Sequence, residues 1–161
     1  MAQLTISTRA YGEGRAAVRL VLPFELRQRS RLLAVMDSGE EVGLLMPRGT
    51  VLRGGDRLQS SDGRLVEVVA APEQLSIVRS SDLRQLARAA YHLGNRHVAV
   101  QITADSIRYL KDHVLDDMLT GQGLKVISDV LPFEPEAGAY STSHSHAETH
   151  SHSHGHAHDH D

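Results

Sequence analysis

Residues 73–131 read EQLSIVRSSDLRQLARAAYHLGNRHVAVQITADSIRYLKDHVLDDMLTGQGLKVISDVL, and the order of periodicities within them decides the fold. Glu73 to Arg79 carries Leu75, Ile77 and Val78 as a strand. Asp82 is placed to cap a helix, with Gln85 three residues on to complete a capping box. Leu83, Leu86, Ala87, Ala90 and Leu93 then share one helical face, so the helix is predicted over 83–93, with Gly94-Asn95 supplying the left-handed residues that end it. His97 to Ile102 alternates as a strand through Val98, Val100 and Ile102, and Ile107 with Tyr109 marks a short one. Asp112 caps a second helix whose apolar face is Val114, Leu115, Met118 and Leu119, closed by Gly121 and Gly123. Leu124 to Val130 is the last strand. The order β-α-β-β-α-β is that of a ferredoxin-like sandwich, with two helices on one face of an antiparallel sheet.

Upstream, residues 1–72 have another character. Short period-two runs, Leu4 to Ser7, Val18 to Leu22, Leu32 to Met36, Val42 to Met46 and Leu65 to Val69, alternate with turn signals at Gly12 and Gly14, Asp37-Ser38-Gly39, Arg48-Gly49, Gly54-Gly55 and Asp62-Gly63. Asp62-Gly63 suits a hairpin because both residues tolerate positive φ. The expectation is an α+β chain: an all-β domain over 1–72, the ferredoxin-like domain over 73–140, and a tail over 141–161. Residues 132–140, Pro-Phe-Glu-Pro-Glu-Ala-Gly-Ala-Tyr, read as a linker with little to bury.

The tail holds eight of the eleven histidines: His144, His146, His150, His152, His154, His156, His158 and His160. They alternate with Ser, Gly, Ala, Thr, Glu and Asp, unlike an unbroken purification hexamer. Lacking large apolar residues, this segment is expected to be disordered without metal or a partner. Imidazole is a good ligand near neutral pH and suits Ni, Zn and Cu. The chain has no cysteine to compete.

Charge narrows the partners. There are 17 Lys and Arg against 20 Asp and Glu, and three of the acidic residues (Glu148, Asp159, Asp161) lie in the tail, leaving the body at 17 against 17. A neutral body without a basic block gives no footprint for nucleic acid or an anionic membrane. No apolar run approaches 18 residues and no leader follows Met1, so a cytoplasmic protein is expected. No phosphate loop and no nucleophile elbow is present, and Asp116-Asp117, about 100° apart on a helix, read as a solvated edge rather than an acid–base pair.

The three remaining histidines, His92, His97 and His113, all fall in the second domain. His97 follows the turn that ends the first helix. His113 opens the second helix, where the positive end of the dipole favours neutral imidazole. His92 lies in a last helical turn, where a cation is favoured, which weighs against ligation. No pair has the spacing of a zincin helix, so one subunit lacks a preformed site. A two-fold axis near His97 would bring two imidazoles to one ion.

Leu86 to His97, Val98 to Ile102, Asp112 to Leu119 and the Leu131-Pro-Phe-Glu-Pro-Glu-Ala-Gly-Ala-Tyr140 segment resemble the UreE family of urease accessory proteins, which are nickel metallochaperones. The resemblance implies a homodimer joined through the second domain and one Ni(II) held at the interface by the histidine matching His97 from each subunit. It implies peripheral binding at His92 and His113, and an amino-terminal domain similar to the peptide-binding domain of Hsp40-type chaperones. Delivery to apo-urease would involve UreG, UreD and UreF. Some members carry histidine where this chain has Leu110 and Lys111, so a second internal site is not expected. Zn(II) or Cu(II) would also bind imidazoles in vitro, and metal bridging could produce tetramers. Two other readings stand beside this one: a storage protein whose tail is the active part, and a small zinc hydrolase built on His97 and His113.

Overall fold

The computed structural model describes residues 3–138; the histidine tail lies outside the described residues. The first domain is one six-stranded mixed sheet. Its strands are β1 (Leu4–Arg9), β2 (Val18–Leu22), β3 (Arg31–Val35), β4 (Glu41–Leu45), β5 (Arg57–Ser60) and β6 (Leu65–Ala70), with a single-turn helix α1 (Phe24–Arg27) between β2 and β3. The spatial order is β2-β6-β5-β1-β4-β3. β1 runs parallel to β4 and β2 parallel to β6; the other pairs are antiparallel. The period-two reading holds because alternate residues point to one interior: Leu20, Val42, Leu44, Val66 and Val68 are all buried in the same cluster. Asp62-Gly63 does turn the β5–β6 hairpin, with Gly63 at φ 88°. β5 and α1 have no signal in the sequence. β5 has only Leu58 as a large apolar residue, and α1 is a single turn started by Pro23.

The second domain has strands β7 (Pro72–Arg79), β8 (Gln101–Ile102), β9 (Ser106–Leu110) and β10 (Val126–Pro132), and helices α2 (Leu83–Asn95) and α3 (His113–Gly121). The sheet order is β10-β7-β9-β8, with every pair antiparallel. Val78, Ile107 and Tyr109 face the helices and pack on Leu86, Ala89, Leu93, Leu115 and Leu119. Leu75 and Ile77 point the other way, onto Phe133 and Phe24. Lying between β10 and β9, β7 is therefore apolar on both faces, and its residues 75–78 are all buried.

Several boundaries differ from expectation. The strand predicted over 97–102 shrinks to Gln101–Ile102, and the last strand starts two residues late and reaches Pro132. Asp82 caps α2 through the Arg84 amide at 2.9 Å, but Gln85 accepts from the Ser80 hydroxyl at 2.8 Å, which leaves the capping box half made. Asp112 caps α3 as expected, accepting from the amides of Val114 and Leu115. The largest correction concerns residues 132–138. They are no spacer: Phe133 is fully buried, contributing about 2–3 kcal/mol of apolar burial.

Tyr109 ties the sheet to α3. Its buried hydroxyl donates to Asp116 Oδ1 at 2.6 Å. Burial first, and the adjacent Asp116 carboxylate second, raise its pKa well above the ordinary phenol value. Above about pH 10 the phenol is still held neutral in the fold but ionises when the chain unfolds. Its stabilisation is therefore complete below about pH 10 and lost as pH rises beyond that. Thermal melts should show a falling midpoint above pH 10. Tyr109→Phe should flatten that fall and cost about 2 kcal/mol at neutral pH.

Candidate metal site

Helix α2 does not end where the glycine suggests. Gly94 and Asn95 stay helical, and His97 is the left-handed residue, at φ 55°, the only non-glycine with positive φ among the described residues. Its amide donates to Gly94 O at 3.0 Å, and the Val98 amide donates to Leu93 O at 3.1 Å. That is the double bond pattern of a Schellman cap, with histidine where glycine is usual. The Val98 and Leu93 side chains pack in one cluster and complete it. Left-handed geometry costs an L-residue about 1–2 kcal/mol, and such strain concentrates at functional positions. The His97 side chain is exposed, just past the end of the helix.

His97 sits in a groove of about 470 Å³ lined by Phe24, Gln28, residues 97–100 and residues 136–138. Two bonds lay the carboxy-terminal segment along it: Glu136 N–H to Val100 O at 2.8 Å, and Glu134 N–H to Gln101 Oε1 at 3.1 Å. Gly138, the last described residue, therefore lines the same groove as His97.

The other histidines do not join it. His92 is half-buried in the last turn of α2, its ring edge-on to Tyr91 at 5.2 Å between centroids. His113 is the first residue of α3 and exposed. Beside it, the Lys111 ammonium donates to Ser128 Oγ at 3.2 Å and lies 3.9 Å from Asp116. Among the described residues no three of His, Asp and Glu converge on a point that would hold an ion.

A second feature is Arg27, which lies against the groove residue Phe24. Its side chain is fully buried, with Nε donating to Leu22 O at 3.1 Å and Nη1 to Leu52 O at 3.3 Å. The same guanidinium donates to the Glu134 carboxylate and to Phe133 O. Its Cζ stands 5.5 Å from the centroid of the Phe24 ring, which meets Phe133 edge-on at 5.8 Å. The sequence reading missed Arg27, Glu134 and Glu136, since nothing local marks an arginine that is satisfied by residues over a hundred positions away. The one available signal was a large aromatic residue, Phe133, inside the supposed linker.

Comparison with known proteins covers both halves. Residues 6–71 match the profile of the N-terminal domain of UreE urease accessory protein, and residues 73–160 match that of its C-terminal domain. The chain belongs to the UreE family. It is 56% identical over 137 residues to the urease accessory protein UreE of Alkalilimnicola ehrlichii, spanning 85% of this chain and 84% of that protein. It is 57% identical over 127 residues to the UreE of Citrobacter koseri, spanning 78% and 84% respectively. UreE proteins are accessory proteins without catalysis of their own, so the zinc-hydrolase reading of His97 and His113 falls.

Proposed function

We propose that the protein is a nickel metallochaperone, a homodimer holding one Ni(II) between the His97 residues of two subunits for delivery to apo-urease. The observation that carries the reading is the strained, exposed His97, held by a helix cap in a groove that residues 136–138 also line. One imidazole is too little for a divalent ion, and a two-fold axis doubles it. The tail histidines, His144 to His160, then add donors by effective concentration and can be stripped one by one at hand-over. His92 and His113, isolated on their helices, are peripheral binding positions. Nickel as cargo follows from family membership, because nitrogen-rich sites intrinsically favour copper. Zn(II) or Cu(II) should compete in vitro.

The domain roles follow the same line. Residues 73–140, read as ferredoxin-like from the sheet order, form the metal-binding and dimerising unit, and residues 141–161 form the exchange arm. Residues 1–72 form the partner-binding unit: β3 is an edge strand with Leu33 and Val35 exposed, a surface that an extended segment could extend. UreG, UreD, UreF and apo-urease are the partners this implies, with tetramers arising if metal bridges dimers.

Titration calorimetry of the chain cut after Tyr140 separates this reading from tail-based storage. The cut chain should keep about one tight Ni(II) per two chains. If every tight site leaves with the tail, storage is the function. Because ligation needs neutral imidazole, tight binding should also weaken when titrated below about pH 6.

A further inference from the structure

We infer that the outer face of the β3–β4 edge, together with an arginine-lined recess at its end, is the docking site for a partner segment in which alternating apolar residues run into carboxylates. The inference rests on the proposed metallochaperone reading, in which residues 1–72 bind the partner, and names the chemistry of what they bind.

β3 is the last strand of the first sheet, so its outer backbone edge is open to a further strand. Leu32 and Ala34 pack on the core, which turns Arg31, Leu33 and Val35 to the other face, where all three are exposed. Leu45 of β4, paired with Arg31, is exposed beside them. Leu33 in turn pairs with Gly43, and Gly43 with Thr5 of β1. The fold does not demand glycine at 43. Its φ is not positive, and a Cβ there would meet Leu4 O at 3.8 Å and Thr5 Cγ2 at 3.9 Å, which are ordinary contact distances. A glycine inside a strand weakens it and often marks a place where a ligand or another chain approaches closely. Here it leaves a dent between Leu33 and Thr5 that an apolar side chain would fill.

At the Arg31 end this face meets a recess of about 680 Å³, lined by Arg29, Arg31 and Arg48 with Gln28, Ser30 and Met46. None of these lining residues is acidic. Arg29 is answered by Glu25 at 2.8 Å, whereas the guanidiniums of Arg31 and Arg48 have no hydrogen bond or ion pair among the described residues. Like charges gathered in this way repel, and carboxylates, which guanidinium grips through paired hydrogen bonds, relieve the repulsion. Gln28 also lines the groove of His97. A segment laid along β3 with its acidic end in the recess therefore ends next to the proposed metal site.

Fluorescence anisotropy on the full-length protein tests this with two labelled synthetic peptides, one with leucines at alternate positions followed by three aspartates, the other with three lysines in place of the aspartates. The aspartate peptide should bind about tenfold tighter at low salt, with the preference shrinking as salt rises. Gly43→Val should weaken its binding about tenfold without lowering the melting temperature, because valine fills the dent and suits a strand. Arg31→Glu/Arg48→Glu should turn the preference toward the lysine peptide. Equal binding of the two peptides, no binding of either, or binding that neither variant alters overturns the docking site. A lower melting temperature for Gly43→Val would make the glycine structural and overturn the dent. Nickel titration of the native protein keeps the two readings apart: absence of tight Ni(II) overturns the metallochaperone reading, while tight Ni(II) without a peptide preference overturns the docking site alone.

Discussion

Replacing His97 with glycine should make the protein more stable and nearly useless as a nickel carrier. The left-handed position costs histidine about 1–2 kcal/mol, and glycine adopts it freely at the price of some extra chain entropy in the unfolded state, leaving a net gain of about 1 kcal/mol. Both Schellman bonds are made by backbone atoms and survive the change. His97→Ala keeps the strain and gains nothing. In the proposed dimer both variants remove two imidazoles at once. Loss of an outer-shell partner alone weakens a metal site 10–100-fold, so loss of two direct ligands should exceed about 100-fold. Denaturant melts beside Ni(II) titrations check the pair of effects: stability and affinity should move in opposite directions for glycine. A melt in which His97→Gly is destabilised would mean that the imidazole supports the fold.

Glu134→Ala should be among the most damaging single changes on the surface side of the molecule. Glu134 is about a third exposed, but its partner Arg27 has no exposure at all. Truncation leaves the guanidinium with three carbonyl acceptors and no countercharge. Breaking a fully buried pair costs about 3–5 kcal/mol. Water reaching the Glu134 side reduces that here to roughly 2–4 kcal/mol. Arg27→Met/Glu134→Gln should recover much of the loss, because an apolar side chain of similar length lies against Phe24 without a charge to satisfy. Chemical denaturation of the three proteins measures this directly. Equal stability of Glu134→Ala and the native chain would show that the ion pair contributes nothing.

What the sequence could disclose follows from how local each cause is. β2, β4 and β6 were legible because one buried face writes a period of two, and α2 and α3 because an aspartate cap precedes an apolar stripe, although Leu83, Ala87 and Val114, expected on those stripes, are exposed and Ala89 is buried instead. The fold's long-range features were not. That β1 lies beside β4 and parallel to it depends on chain crossing, which leaves no mark in either strand. The strand expected from His97 to Ile102 failed because His97 and Val98 serve the helix cap and Val100 O serves Glu136, so only Gln101 and Ile102 are free to pair with β9. The site was half legible. His97 stood out by its place after a helix, yet its reason for being there was misread, since glycine rules assigned the left-handed turn to Gly94-Asn95. Arg27 was invisible, because burial of an arginine is decided by acceptors far away in sequence.

The central claim is that one nickel ion is shared by the His97 residues of two subunits, and its position is the most direct test. Crystals of the chain cut after Tyr140, grown with Ni(II), should show anomalous scattering at a single peak on a two-fold axis, within bonding distance of both His97 rings. A peak on His92 or His113 alone, or two separate ions with His97 bare, would contradict the account.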